Sequence, residues 1–413
     1  MTFPIDKIRS QFPALALEDG GMPRLYFDNP AGTQVPKSVA DAVYHCLIHE
    51  NANLGGTFVT SHASTKIVAD AHQAMADFLG TDDLGEIIIG ASTTTLAFHL
   101  SRSIARDFKA GDEIIVTQMD HEGNVSPWLE IAEDHDLTIR WLKFNEQSWQ
   151  IEVEDLKELL NDRTKLVALN YASNLTGMTN DVKRLIAEAK KVDALVYLDA
   201  VQYTPHALTS VSELGCDFLA CSSYKFFGPH LGIVWGKKKL LQDMHAYKCR
   251  TVPEEFPTKF ETGTPAIELL AGLTATIEYI ASIGEQGQTT RRQKIKAAFQ
   301  ATLKYEEILT RQLMDGLKNL DGIEIIGSTS ENQLSQHVPT ISFRHKTIKP
   351  RDIATSLANE NIFVWSGHNY ALGIVRQLGI NEKEGVVRIG MAHYNTKQEV
   401  SRVLDAVSRA LGG

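Results

Sequence analysis

From about residue 60 to residue 265 the chain alternates between short, unbroken apolar runs and longer stretches of helical periodicity. The runs are EIIIG, DEIIVT, KLVALN, ALVYLD, CDFLAC and GIVWG, with amphipathic segments such as LAFHLSRSIARDF, VEDLKELL and DVKRLIAEAKKVD among them. A strand with one wet face alternates apolar and polar residues, so unbroken runs belong to strands covered on both faces. Joined by helices, they predict an α/β fold around a mostly parallel sheet. After residue 265 the texture changes. A helical tract runs from about residue 266 to about residue 320, and IEIIG, VPTISFRH, NIFVW and VVRIGMAHYN follow with helices between them, the pattern of a smaller α+β domain. Residues 1–54 lack a complete unit and are expected to pack on that domain. This leaves 55–265 as the large domain and 266–413 as the small one.

Charge and cysteine content narrow the function classes. The net charge is −10, with acids and bases interspersed and no basic run, so neither nucleic acid nor an anionic membrane is an expected partner. No apolar stretch approaches the ~20 residues that span a bilayer. The opening MTFPIDKIRSQFPAL has an acid and no long apolar core, unlike a signal peptide. Four cysteines (Cys46, Cys216, Cys221 and Cys249) with no CxxC suit a reducing cytoplasm rather than a disulfide framework or a zinc site.

In open parallel sheets ligands bind beyond the carboxyl ends of the strands. Those ends carry Thr93 and Thr94 in the STTT cluster after EIIIG, His121 after IIVTQMD, Asn174 after LVALNYAS, Asp199 and Gln202 after ALVYL, and Ser222, Tyr224 and Lys225 after FLAC. A metal needs several like ligands together, whereas this mixture suits an organic cofactor. Pyridoxal 5'-phosphate needs a lysine amine for its aldehyde, an acid at its ring nitrogen, a flat group against the ring, and hydroxyls at a helix N-terminus for its phosphate. Lys225, Asp199, His121 and the STTT cluster meet these needs in that order. Taken singly, each has an ordinary reading as a snorkelling lysine, a loop aspartate, a surface histidine and a helix cap.

YLDAVQYTPH, the 26-residue step from Asp199 to Lys225, SSYKFFGPHLGIVWG and FETGTPAIE together resemble the class V aminotransferase group of fold-type I pyridoxal-phosphate enzymes, in its cysteine desulfurase and selenocysteine lyase branch. YFDNPAGTQVP, QMDHEGNVSPW and VVRIGMAHYNT extend the resemblance over roughly residues 25 to 400. It implies a large domain with a mostly parallel seven-stranded sheet and a smaller α+β domain. Lys225 would bond to the cofactor, Asp199 pair with the ring nitrogen and His121 stack on the ring. Asn174 and Gln202 would lie near the ring oxygen and the substrate. Thr93 or Thr94, Ser222 and Tyr224 would hold the phosphate, although most relatives have histidine at the Tyr224 position. Thr264 would reach the phosphate of a neighbouring subunit, implying a homodimer. Arg388 would clamp the α-carboxylate of a small amino-acid substrate, a task suited to its planar fork.

One departure stands out. The branch carries a reactive cysteine in a segment like RTGHHCAQP, where this chain has VWSGHNYALG, residues 364–373. Tyr370 stands at the cysteine position, Asn369 at the second histidine and Trp365 at the arginine. A thiolate can take sulfur as a persulfide and a phenol cannot. The segment resembles that of an uncharacterised desulfurase-like subfamily lacking the catalytic cysteine. The expected chemistry is therefore β-elimination (a C–S lyase) or transamination without a protein persulfide, with Tyr370 at the substrate either as an acid or as a wall of the pocket. Epimerisation, desulfuration through a displaced cysteine such as Cys249, and a cofactor-binding protein without catalysis are the alternatives.

Overall fold

A computed structural model describes residues 3–284 and 287–412. Seven strands form the central sheet: β1 (Ile87–Gly90), β2 (Glu113–Thr117), β3 (Thr138–Leu142), β4 (Thr164–Asn170), β5 (Leu195–Asp199), β6 (Phe218–Ser222) and β7 (Gly232–Gly236). Their order is β1-β7-β6-β5-β4-β2-β3. All neighbours from β6 to β3 are parallel, and β7 alone runs antiparallel to both β1 and β6. The two reversals cancel, so the carboxyl end of β1 reaches the same edge as those of β2, β4, β5 and β6.

The unbroken apolar runs have the burial expected of them. Every residue of β2, β6 and β7 is buried, while edge strand β3 is open to solvent over most of its length, buries only Leu142 and leaves Trp141 exposed. Two apolar layers cover the sheet. One includes Ile89, Ile115, Leu169 and Leu198, and the other Ile88, Ile114, Ala168 and Tyr197, so alternate residues of one strand serve opposite layers.

The tract after residue 265 is two helices, Ile267–Ile283 and Arg291–Lys318, and its residues 285 and 286 lie outside the described residues. The second helix opens on a capping box between Thr290 and Gln293. A second sheet follows: β8 (Ile323–Ile326), β9 (Thr340–His345), β10 (Trp365–Gly367) and β11 (Val386–Gly390), antiparallel in the order β8-β9-β11-β10. NIFVW divides: Ile362–Phe363 pairs with Leu25–Tyr26 of the N-terminal segment, and Trp365 begins β10. Leu25 and Phe27 belong to the core under the second sheet, whereas Ile8 and Phe12 belong to a core of the first. No helix among the described residues is long and apolar enough to cross a membrane.

Candidate active site

The strand ends converge on one cavity. Ser92, Thr93, Thr94, Asp120, His121, Asn174, Asp199, Gln202, Ser222, Tyr224 and Lys225 all line it. A wider cleft opens from it, shared by Thr94, His121, Asn174, Tyr224 and Lys225 and closed by Arg388 and the segment 365–370. The structure thus gathers every residue predicted for the site except Thr264, which is exposed before helix Ile267–Ile283 and lines neither cavity.

Lys225 ends the 3-10 turn Ser223–Lys225 directly after β6. Phe226 and Gly228 N–H groups both donate to the Ser223 carbonyl, folding the chain back on itself. This forces Phe227 to a φ of +74°, a strain of about 1–3 kcal/mol for a non-glycine residue. Buried packing holds it there, with the ring 4.4 Å from His393 and 6.0 Å from Phe12. Lys225 Nζ donates to the Pro30 carbonyl and lies 5.2 Å from the centre of the Tyr224 ring. Burial first, then the nearby Arg388 charge, lowers its pKa to about 7. At neutral pH much of it is therefore the free amine.

Asp199 closes β5 and accepts the Val201 N–H on Oδ1 at 2.8 Å. Burial raises it to about 6, against the opposing pull of that N–H and of Lys225. Asp120 shares the cavity, accepting Thr117 Oγ1 at 2.8 Å and Asn124 Nδ2 at 3.1 Å, and is raised by burial and then by Asp199. His121 Nδ1 accepts the Gly123 N–H at 2.9 Å, so the neutral ring carries its proton on Nε2. Burial holds its pKa near about 3, and a neutral, flat imidazole results.

Helix Thr93–Ile104 starts at the cavity with Ser92 as its cap, Ser92 Oγ accepting the Thr95 N–H at 3.0 Å. Gly232 admits this approach, since a Cβ there would sit 2.1 Å from Thr93 N. Thr93 Oγ1 donates to the Cys221 carbonyl at 2.8 Å and also bonds Ser222 Oγ. Gln202 donates to Thr340 Oγ1 at 3.3 Å, which ties it to β9.

The segment that follows β10 closes the site through main-chain carbonyls. Asn174 Nδ2 donates to the Asn369 carbonyl at 2.7 Å, and the Glu122 N–H to the Tyr370 carbonyl at 2.8 Å. Asn369 and Tyr370 are consecutive left-handed residues at φ +51° and +59°. The Tyr370 ring stacks on His121 at 5.3 Å and 20° while remaining 64% exposed. Arg388, on β11, is buried and donates from Nη1 to the Asn174 carbonyl at 3.0 Å. Burial lowers it to about 10, which still leaves it cationic at neutral pH.

Two groups here escaped the sequence reading. Asp28, inside YFDNPAG, is raised by burial and opposed by Arg388 and Lys225. Asp120 directly precedes His121. Each lay inside a recognised motif, but nothing local separates a buried carboxylate from a loop one. Cys249 was expected within possible reach, yet it is exposed in a separate hollow beside Lys248 and Arg250. Cys46, Cys216 and Cys221 are buried, and burial pushes the Cys216 thiol up to about 12. No cysteine lines either cavity.

The donor set fits pyridoxal phosphate. A free amine, a basic buried carboxylate and a neutral flat ring face one space, with hydroxyls at the start of a helix of 12 residues. Gln202 Oε1 and Asn174 Oδ1 are buried there with no hydrogen-bond partner among the described residues, and buried polar atoms ordinarily have one.

Known proteins place the chain. The family model for aminotransferase class-V matches residues 25–403. An aminotransferase-like protein of Gibberella zeae is 32% identical, with 99% of each chain covered. A cysteine desulfurase of Pectobacterium carotovorum is 28% identical over 99% of this chain and 98% of its own. Among solved structures, the apo cysteine desulfurase of Thermococcus onnurineus superposes with a TM-score of 0.88 at 26% identity, over 100% of this chain and 99% of that one. The cysteine desulfurase CsdA of Escherichia coli gives 0.85 at 26%, with the same coverage. With this fold and this cavity, the chain belongs to the class V aminotransferase family, in its cysteine desulfurase-like branch, whose members use pyridoxal 5'-phosphate.

Proposed function

We propose that the protein is a pyridoxal-phosphate enzyme that acts on a small α-amino acid without passing sulfur to a protein thiol, as a C–S lyase (β-elimination) or by transamination. Tyr370 carries this reading: it occupies the roof where the branch keeps its cysteine, and no cysteine lines either cavity. When bound, the cofactor supplies an electron sink for charge developing at the substrate α-carbon. Lys225, poised near neutrality, takes the α-proton on Nζ. Asp199 holds the proton at the ring nitrogen, and His121 covers the ring face. Arg388 receives the α-carboxylate in its buried fork. Elimination asks for no further acid, because the C–S electron pair leaves on sulfur.

A panel of amino acids with product identification tests this reading. Pyruvate, ammonia and sulfide from cysteine mean elimination, and a keto acid with aminated cofactor means transamination. Alanine plus sulfide, with a persulfide trapped on Cys249, would sink it in favour of desulfuration. A racemised substrate would mean epimerisation, and no α-proton exchange with any amino acid would mean a cofactor-binding protein without catalysis.

The reading includes a homodimer. Tyr44, Leu47, Ile48, Phe58 and Val59 leave an exposed apolar strip, Val59 being 79% exposed. Helix Lys37–His49 in that strip packs on helix Ile267–Ile283, which Thr264 precedes. Sedimentation should give twice the chain mass, and Thr264→Ala should weaken cofactor retention. A monomer with full cofactor affinity would refute both. Four free cysteines, three of them buried, support residence in the cytoplasm, which fractionation of cells can check.

A further inference from the structure

The outer cleft holds one more cation than the proposed chemistry uses. Lys225, Lys383 and Arg388 line it, and Glu382 is its one acid. Glu382 accepts Arg376 Nε at 2.8 Å, and that ion pair outweighs its weaker interaction with His368 across the rim. Asp28 interacts with Arg388 and Lys225 and not with Lys383. The Lys225 amine is committed to the cofactor and Arg388 to the α-carboxylate. Lys383 is left with no ion-pair partner among the described residues.

Its position is built into the backbone. The Lys383 N–H donates to Asn381 Oδ1 at 3.0 Å, and the Gly385 N–H closes the turn on the Asn381 carbonyl at 2.8 Å. Gly385, at φ +60°, lies so close to β10 that a Cβ would fall 2.0 Å from Gly367 C. The turn is therefore clamped to the strand that carries the roof, which sets Lys383 and Tyr370 on the rim of one cleft. His368 adds a donor there: its Nδ1 accepts the Tyr370 N–H at 3.0 Å, which leaves the proton of the neutral ring on Nε2. Trp365 and Tyr370 are the exposed aromatic walls.

Resting on the function proposed above, we infer that the substrate is an α-amino acid whose side chain ends in a carboxylate, paired with Lys383 and His368 at the rim. A rim whose one acid is already paired with Arg376 favours an anion beside Lys383, and rejects a neutral isostere only by the pair energy lost.

The test titrates cofactor-loaded protein with two isosteric pairs and follows the visible band. L-Glutamate is compared with L-glutamine, and S-carboxymethyl-L-cysteine with S-carbamoylmethyl-L-cysteine, one pair for each reaction class. Each acid should half-saturate at a concentration roughly five-fold lower than its amide, the size of a part-exposed charge pair. Lys383→Met should bring that ratio to about one, Lys383→Glu should invert it, and added salt should shrink it in the native protein. Acids and amides that perturb the band equally overturn the inference and leave the function standing, as does an unchanged ratio in Lys383→Met. If no amino acid perturbs the band, the proposed function falls and takes the inference with it.

Discussion

The floor and the roof of this site are held by opposite means. On the floor, Lys225, Asp199 and His121 extend from strand ends and turns that are themselves buried, and burial moves all three pKa values toward their tasks. On the roof, the 365–370 segment is fastened by the main-chain carbonyls of Asn369 and Tyr370, while the Tyr370 side chain stays largely exposed. A floor of this kind cannot change a side chain without losing its chemistry. A roof anchored through its backbone can exchange a thiol for a phenol and keep its shape. Within one scaffold, the residues proposed to hold the cofactor and the segment proposed to set the reaction outcome are therefore anchored independently.

The largest effect expected from breaking the floor is that of Lys225→Ala, which should abolish the visible band of the cofactor-bound protein; a retained band would refute the assignment. Arg388→Lys should raise KM by roughly ten- to a hundred-fold, about 1.5–3 kcal/mol for a charge-assisted fork reduced to a point charge. The pH dependence tests the lysine in its setting. Only the neutral amine attacks an aldehyde, and the folded-state pKa is depressed to about 7. The rate of cofactor capture by apoprotein should thus fall about ten-fold per unit below pH 7 and level off above it. An amine at its ordinary value would keep the rate climbing to about pH 10. On the roof, Tyr370→Phe should lower kcat by less than about ten-fold if the ring is a wall, because a general acid is worth ~10²–10⁴. A hundred-fold loss would make the hydroxyl an acid. The smallest effect is that of Cys249→Ala, which should leave sulfide release unchanged, and its loss would transfer the sulfur chemistry to that distant loop.

Much of this site was legible before any coordinates. The strand-end rule sent Thr93, His121, Asn174, Asp199, Gln202, Ser222 and Lys225 to one edge, and the central sheet brings them there because its two antiparallel pairings cancel in direction. The apolar runs are readable for a local reason, since burial on both faces writes itself into consecutive residues. Asp28 and Asp120 were not readable, because their role depends on burial against residues that arrive from elsewhere in the chain. Lys383 was hidden for the same reason, 158 residues after Lys225 (383 − 225) on a turn that the pairing of β11 with β10 and the close approach of Gly385 to Gly367 bring to the cleft.

The sequence by itself determined the layered architecture, membership of a family whose members use pyridoxal 5'-phosphate, and the tyrosine at residue 370, all of which rest on short-range pattern and residue identity. Tertiary structure alone decided which charges are spent and which are free. An ion pair such as Glu382 with Arg376, a lysine pressed toward neutrality and a tyrosine laid over a histidine all depend on distances between segments far apart in the chain, and electrostatic energy follows distance and burial rather than order along the sequence.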